Sequence, residues 1–265
     1  MSPTTSTDGP IALVQERLTT FASAIGFGLR ASWAAITKPQ PYDTLILLAR
    51  LLSSSLPVVV VVAFFAGAML TVQAAASLSL IGGGPLAGTL VGFGGVREVF
   101  PLLAAASVAA RSGAAFASEL GAMKVTEQLD AVEVMGLSPM QLLVGPRIWA
   151  AALGVPVCVL FADAVGLVGS QFIGTYQVGI DPGSMWFALM GSVVKNDLYI
   201  GMGKGVLLGW LIAIVTTREG MTTSGGARGV GQATNRAVVR ALIVTCVTSL
   251  GLTYALYGTA MMAKG

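Results

Sequence analysis

Long apolar runs separated by short polar segments set the pattern of this chain. A helix needs about 20 mostly apolar residues to cross bilayer hydrocarbon. Four stretches meet that length: Leu45–Val72, with VVVVVAFFAGAML at its centre, Val99–Met123, Ile148–Ile173 and Ala237–Met262. A fifth, Met185–Thr217, is helical in character but interrupted by Lys195, Asp197 and Lys204; its charge-free part, Gly205–Thr217, is too short to cross alone. The pattern predicts an all-α integral membrane protein with five transmembrane helices in one domain over residues 1–265.

Residues 11–38 precede the first span and follow a different period. Leu18, Phe21, Ala22, Ile25, Leu29 and Trp33 recur at three- and four-residue steps, with Arg17, Thr20 and Arg30 off that stripe. This predicts an N-terminal amphipathic helix lying in the membrane interface. A sixth, weakly hydrophobic span is the alternative. Pro39 and Pro41 end the helix before the first span.

Composition narrows the function classes. Hydrophobic residues make up 55% of the chain and charged residues 10%, with a mean hydropathy of +0.82. A soluble domain carries about 25% charged residues, so this chain cannot clothe a globular surface. There is no histidine, which removes Ser-His-Asp and Cys-His triads, HExxH zinc sites and histidine-ligated haem. Cys158 and Cys246 are too few for a four-cysteine zinc site and sit inside apolar runs, where they read as small buried hydrophobes. The 15 basic residues are scattered through hydrophobic sequence and form no nucleic-acid footprint. The polar start MSPTTSTDGP lacks the basic and apolar regions of a signal peptide.

Charge also orients the spans. The N-terminal segment and the loops after spans two and four carry nine basic residues: Arg17, Arg30, Lys38, Lys124, Arg147, Arg218, Arg228, Arg236 and Arg240. The other side carries four, Arg97, Lys195, Lys204 and Lys264. The positive-inside rule predicts a cytoplasmic N-terminus and an outer C-terminus.

The loop between spans two and three holds a short helical pattern over residues 126–136. Thr126 is a plausible N-cap, Glu127 lies in the first turn, and Gly136 and Pro139 suit the stop, bracketing a helix over Glu127–Met135. Val125, Leu129 and Val132 fall on one face and Glu127, Asp130 and Glu133 on another. Its apolar face has no soluble domain to cover it, and its acidity disfavours anionic lipid. A docking helix for a protein partner and a passive loop helix both fit.

Three blocks then resemble one family. The run VREVFPLLAAASVAARSGAAFASELGAMKVTEQLDAVEVMGLSP is similar to the signature of the MlaE/YrbE permeases, the membrane subunits of ABC transporters that work with MCE-domain lipid carriers. KNDLYIGMGKGVLLGWLIAIV resembles the family's fourth-span block, and SGGARGVGQATNRAVV its glycine-rich loop; together they cover about residues 97–240 in order. Phe100, where many members have Gly, and Thr216–Arg218, where many have Cys or an aromatic residue, depart from the pattern.

The resemblance implies two permease copies, identical or paralogous, on a cytoplasmic ABC ATPase dimer, with an MCE-protein ring on the outer side of a bacterial inner membrane. Glu127, Gln128, Leu129, Asp130, Val132, Glu133, Met135 and Gly136 would form the helix that couples to the ATPase. ATP and magnesium would be bound there: this chain has no G-x-x-x-x-G-K-[ST] and so no phosphate cradle or cofactor of its own. The implied substrate is a lipid, of phospholipid, fatty acid or sterol class.

The remaining charges are candidate site residues. Arg97 and Glu98 fall at the outer end of span two, and Lys195, Asp197 and Lys204 in the outer half of span four. They could hold a lipid headgroup, with Glu98 and Asp197 positioning the cations, or simply pair or snorkel. Arg111 and Asp163 lie deeper, at depths that match to within a turn, which makes an intramembrane ion pair a reasonable hypothesis for packing or gating. A lipid permease fits best. A membrane scaffold without its own lipid path is the alternative, and a lipid enzyme lacks an acid–base or metal constellation.

Overall fold

The computed structural model describes residues 10–80 and 82–258, and among them every regular element is helical. α1 (Pro10–Thr37) and α2 (Pro41–Ser79) are followed by α3 (Ala87–Val125), the short α4 (Gln128–Val134), α5 (Met140–Tyr176), α6 (Pro182–Ser192), α7 (Lys195–Met221) and α8 (Gly226–Leu256). Five of them, α2, α3, α5, α7 and α8, are long and apolar enough to cross a membrane. The chain is a multi-pass membrane protein.

α5 is the central helix, packed along α2, α7 and the middle of α3. Its buried positions include Gly154, Gly166 and Gly169 as well as Ile148, Val155 and Val159. The glycines set the spacing. A methyl at Gly67 of α2 would come within 2.0 Å of the Gly166 carbonyl oxygen, and one at Gly169 within 2.3 Å of that of Phe64. On the other side of α5, a methyl at Gly209 of α7 would reach the Ala151 carbonyl oxygen at 2.3 Å. In a bilayer such backbone contact replaces the hydrophobic drive that water supplies to soluble bundles. Phe100 is fully buried, and methyls at Gly95 and Gly166 would both strike its ring at 2.6 Å. Those two glycines make the room for its large side chain.

Several boundaries differ from the sequence pattern. The second span runs back to Ala87, so Arg97 and Glu98 lie within α3 and not at its end. Span four splits: residues from Met185 belong to α6, which packs on the N-terminal part of α3, and the crossing helix α7 starts at Lys195 after an extended Val193–Val194. α7 crosses in spite of its charges because Asp197 and Lys204 are buried and paired.

α1 has two apolar faces. Ile25, Leu29 and Trp33 are exposed, as an interfacial stripe requires, while Phe27, Ala31 and Ala35 pack against α5 and α7. Cys158 is buried but Cys246 is exposed on α8, against the expectation for both.

Candidate functional site

The N-terminal parts of α3 and α7 and the C-terminal part of α8 meet at a polar cluster inside apolar surroundings. Arg97 Nε lies 2.9 Å from Asp197 Oδ1, and Nη2 donates to Oδ2 at 3.0 Å. Its guanidinium carbon sits 3.7 Å over the Phe93 ring, a cation–π contact. Lys204 Nζ donates to the Arg97 carbonyl at 2.9 Å, to Glu98 Oε2 at 3.0 Å and to Thr253 Oγ1 at 2.7 Å. Those three bonds use all the protons of the ammonium, and its side chain is 1% exposed. Glu98 also accepts from Ser249 and from Thr253. Both pairs stand at a π-helical turn, Gly95–Val99, of the kind frequent at functional sites.

Four of the five headgroup-site candidates singled out from the sequence therefore come together: Arg97, Glu98, Asp197 and Lys204. Lys195 does not; it is exposed at the start of α7, with no ion pair among the described residues.

The deeper pair does not form. Asp163 is buried in α5, and neither of its carboxylate oxygens has a hydrogen-bond partner. Arg111 is exposed on α3, within a second π-helical turn, Ala109–Gly113. α3 and α5 are antiparallel, with Phe100 against Gly166 and Glu119 against Arg147, and this register sets Asp163 level with Leu103, about 12 Å along the axis from Arg111. In their place α2 and α3 are linked by hydroxyls, Ser55 and Ser112 at 2.9 Å.

At the opposite end, α4 is shorter than expected and differently capped. Thr126 closes α3, its hydroxyl donating back to Ala122 O at 2.9 Å. Glu127 takes the N-cap position with a left-handed φ of 60°. The C-terminus follows expectation. Gly136, at φ 75°, donates its N–H to Glu133 O at 2.9 Å, and Leu137 N–H reaches Val132 O at 3.2 Å, the bond pattern of a Schellman stop. Leu129 is buried against its own chain, so the apolar face is partly covered. What remains uncovered is Val134, Met135 and Leu137, 88%, 67% and 50% exposed, beside Glu127, Asp130 and Glu133. Asp130 is paired with Lys124 at 2.8 Å.

Two carboxylates near this end carry weight that sequence reasoning missed. Glu119 holds Arg147 at 2.8 Å and Arg50 at 3.4 Å. Glu219 is buried and gathers Arg218 and Arg236, each at 3.5 Å, together with Arg240. A lone acid beside an arginine-rich loop was the available signal for Glu219. No group of three or more potential metal ligands occurs among the described residues.

Known proteins place this arrangement. Residues 45–255 match the family model described as permease MlaE. The chain is 33% identical to a probable ABC transporter permease protein of Rickettsia typhi, over 92% of this chain and 96% of that one. It is 30% identical to the intermembrane phospholipid transport system permease protein MlaE of Haemophilus influenzae, over 94% and 97% of the two chains. A chloroplastic Arabidopsis thaliana protein, trigalactosyldiacylglycerol 1, is 32% identical over 76% of this chain and 57% of its own length. With the matched region covering most of the molecule, and the second and fourth spans of the family signature meeting in one cluster, the chain belongs to the MlaE permease family: it is the membrane subunit of an ABC transporter, paired with an ATPase and not itself one.

Proposed function

We propose that this permease passes lipids, phospholipid first among them, between a bacterial inner membrane and an MCE-type carrier on its outer side. Its N-terminus is then cytoplasmic, in keeping with the basic loops, and two permease copies flank the path. The observation that carries the reading is the outer cluster: two cations and two carboxylates held within apolar spans. The roles within it are unequal. Arg97, whose side chain is 20% exposed over Phe93, is the cation a phosphate or carboxylate headgroup meets first. Asp197 orients it. Lys204 has no free donor, so its role is to tie the π-helical turn to α7 and α8 while balancing Glu98.

The relative from Haemophilus influenzae, by its name a phospholipid transport permease, supports the same substrate class. At the inner end, α4 would dock in a groove of the ATPase through Val134, Met135 and Leu137, with Glu127, Asp130 and Glu133 facing basic groups. A photo-crosslinking side chain at Arg97 in the assembled complex is expected to capture lipid. Failure to do so would favour a scaffold subunit without its own path. Charge reversal at Glu127 and Asp130 together is expected to release the ATPase; retained binding would remove α4 from that role.

A further inference from the structure

Arg111 is an arginine exposed on a membrane-spanning helix far from either end. It lies about 21 Å along α3 from Arg97 and about 21 Å from the inner end at Val125, at roughly 1.5 Å per residue. No carboxylate pairs with it among the described residues. An unpaired guanidinium at that depth is costly, and such groups mark substrate pathways when they persist.

The structure narrows what can satisfy it. Among the described residues, a second copy of the chain offers no acid at this level. Glu98, Asp197, Glu119 and Glu219 belong to the two ends of the spans and are already paired. Asp163, the one carboxylate at intermediate depth among the described residues, is buried inside its own bundle at 3% exposure. The counter-ion therefore comes from outside the protein.

The face around Arg111 is built to admit one. Ala110 beside it is exposed, and Ser107, Ala114 and Ser118 one and two turns away are only partly covered. The two serine hydroxyls are spent on their own helix, donating to Leu103 O at 2.7 Å and Ala115 O at 3.0 Å. Behind the site, Ser112 is buried and anchored by Ser55, so the π-helical turn presents its arginine from a fixed back. Small side chains and a single cation suit an oxyanion that arrives with its own apolar tails.

We infer that Arg111 is a mid-membrane anion station for the headgroup of an anionic lipid, phosphate or carboxylate, between the inner end of the protein and the outer cluster. The inference deepens the lipid-permease reading and rests on it for the class of ligand. A bidentate guanidinium–oxyanion contact suits a diffusing headgroup, since it holds orientation without burying the ligand.

The test uses the full complex in phosphatidylcholine vesicles carrying radiolabelled phosphatidylglycerol, with a photo-crosslinking side chain at Ala110. A second crosslinker at Val247, exposed on α8, reports on ordinary boundary lipid. Arg111→Gln is expected to cut lipid capture at Ala110 about tenfold, the loss of one charge-assisted contact. Arg111→Lys is expected to keep part of it, the charge without the bidentate contact, and neither change should move capture at Val247. Size-exclusion of the Gln variant with its ATPase shows that the complex is intact. Capture at Ala110 that ignores Arg111→Gln would overturn the station, leaving the arginine to snorkel. So would capture of a second permease in place of lipid, or loss of capture on adding soluble glycerol phosphate, which would make the occupant a free anion. A crosslinker at Arg97 separates the two readings: lipid captured there with Ala110 indifferent removes only the mid-membrane station, and no lipid at Arg97 removes the lipid path itself.

Discussion

Glu98, beside the first turns of α7, and Glu219, near the other end of α7, are both hubs, and they are built inside out relative to each other. At the Glu98 hub the cation is hidden: Lys204 is 1% exposed and Glu98 32%. At the Glu219 hub the anion is hidden: Glu219 is 4% exposed, and Arg236 and Arg240 are 48% and 47% exposed. The Glu98 end therefore presents a carboxylate and Arg97, 20% exposed, and the Glu219 end presents guanidinium groups. The difference teaches where each hub is vulnerable. A buried charge depends on its partner; an exposed one can fall back on water.

The largest effect should come from Glu98→Ala. It strands the Lys204 ammonium in the bundle, and thermal unfolding in detergent should show a loss of about 3–5 kcal/mol. Replacing both, with Lys204→Met and Glu98→Leu, should recover most of that loss; an additive outcome would break the comparison. Second in size is Arg236→Gln with Arg240→Gln, which leaves Glu219 only Arg218 and should cost about 3 kcal/mol. Lys204→Met alone should cost less, about 1–2 kcal/mol, because Glu98 keeps its hydroxyl donors and reaches solvent. Arg240→Ala alone should stay within about 1 kcal/mol and shrink further at high salt, whereas the Glu98-hub variants should show little salt dependence. The smallest change tests the start of α4 without touching charge pairs. Glu127→Gly should relieve the left-handed backbone and raise stability by less than about 1 kcal/mol, and a loss there would mean that its side chain is needed.

The same contrast explains what the sequence made legible. α2, α5 and α8 were readable because a long apolar run has few other places to go. α7 was obscured because hydropathy counts Asp197 and Lys204 as costs when each is cancelled by a partner from α3, which sequence does not place beside them. Arg97, Glu98, Asp197 and Lys204 were found as a group because they share a depth, and depth is what residue spacing measures. Arg111 and Asp163 fail to meet because spacing measures depth only from correct span ends: the register of α3 on α5, with Phe100 against Gly166, sets them about 12 Å apart along the axis. The stop at Gly136 was legible from one residue type. The start was not: Thr126 can cap a helix from either direction, and here its hydroxyl turns back to Ala122.

The glycine contacts along α5 have a mechanical corollary. α2 and α7 touch α5 backbone to backbone, with Gly67 seated at the Gly166 carbonyl and Gly209 at that of Ala151. Interlocked at such spacing, the trio resists shear: advancing one helix by a single residue, about 1.5 Å, would bring a neighbouring Cβ where only hydrogen fits. Any motion of this bundle is thus expected to carry α2, α5 and α7 as a single beam.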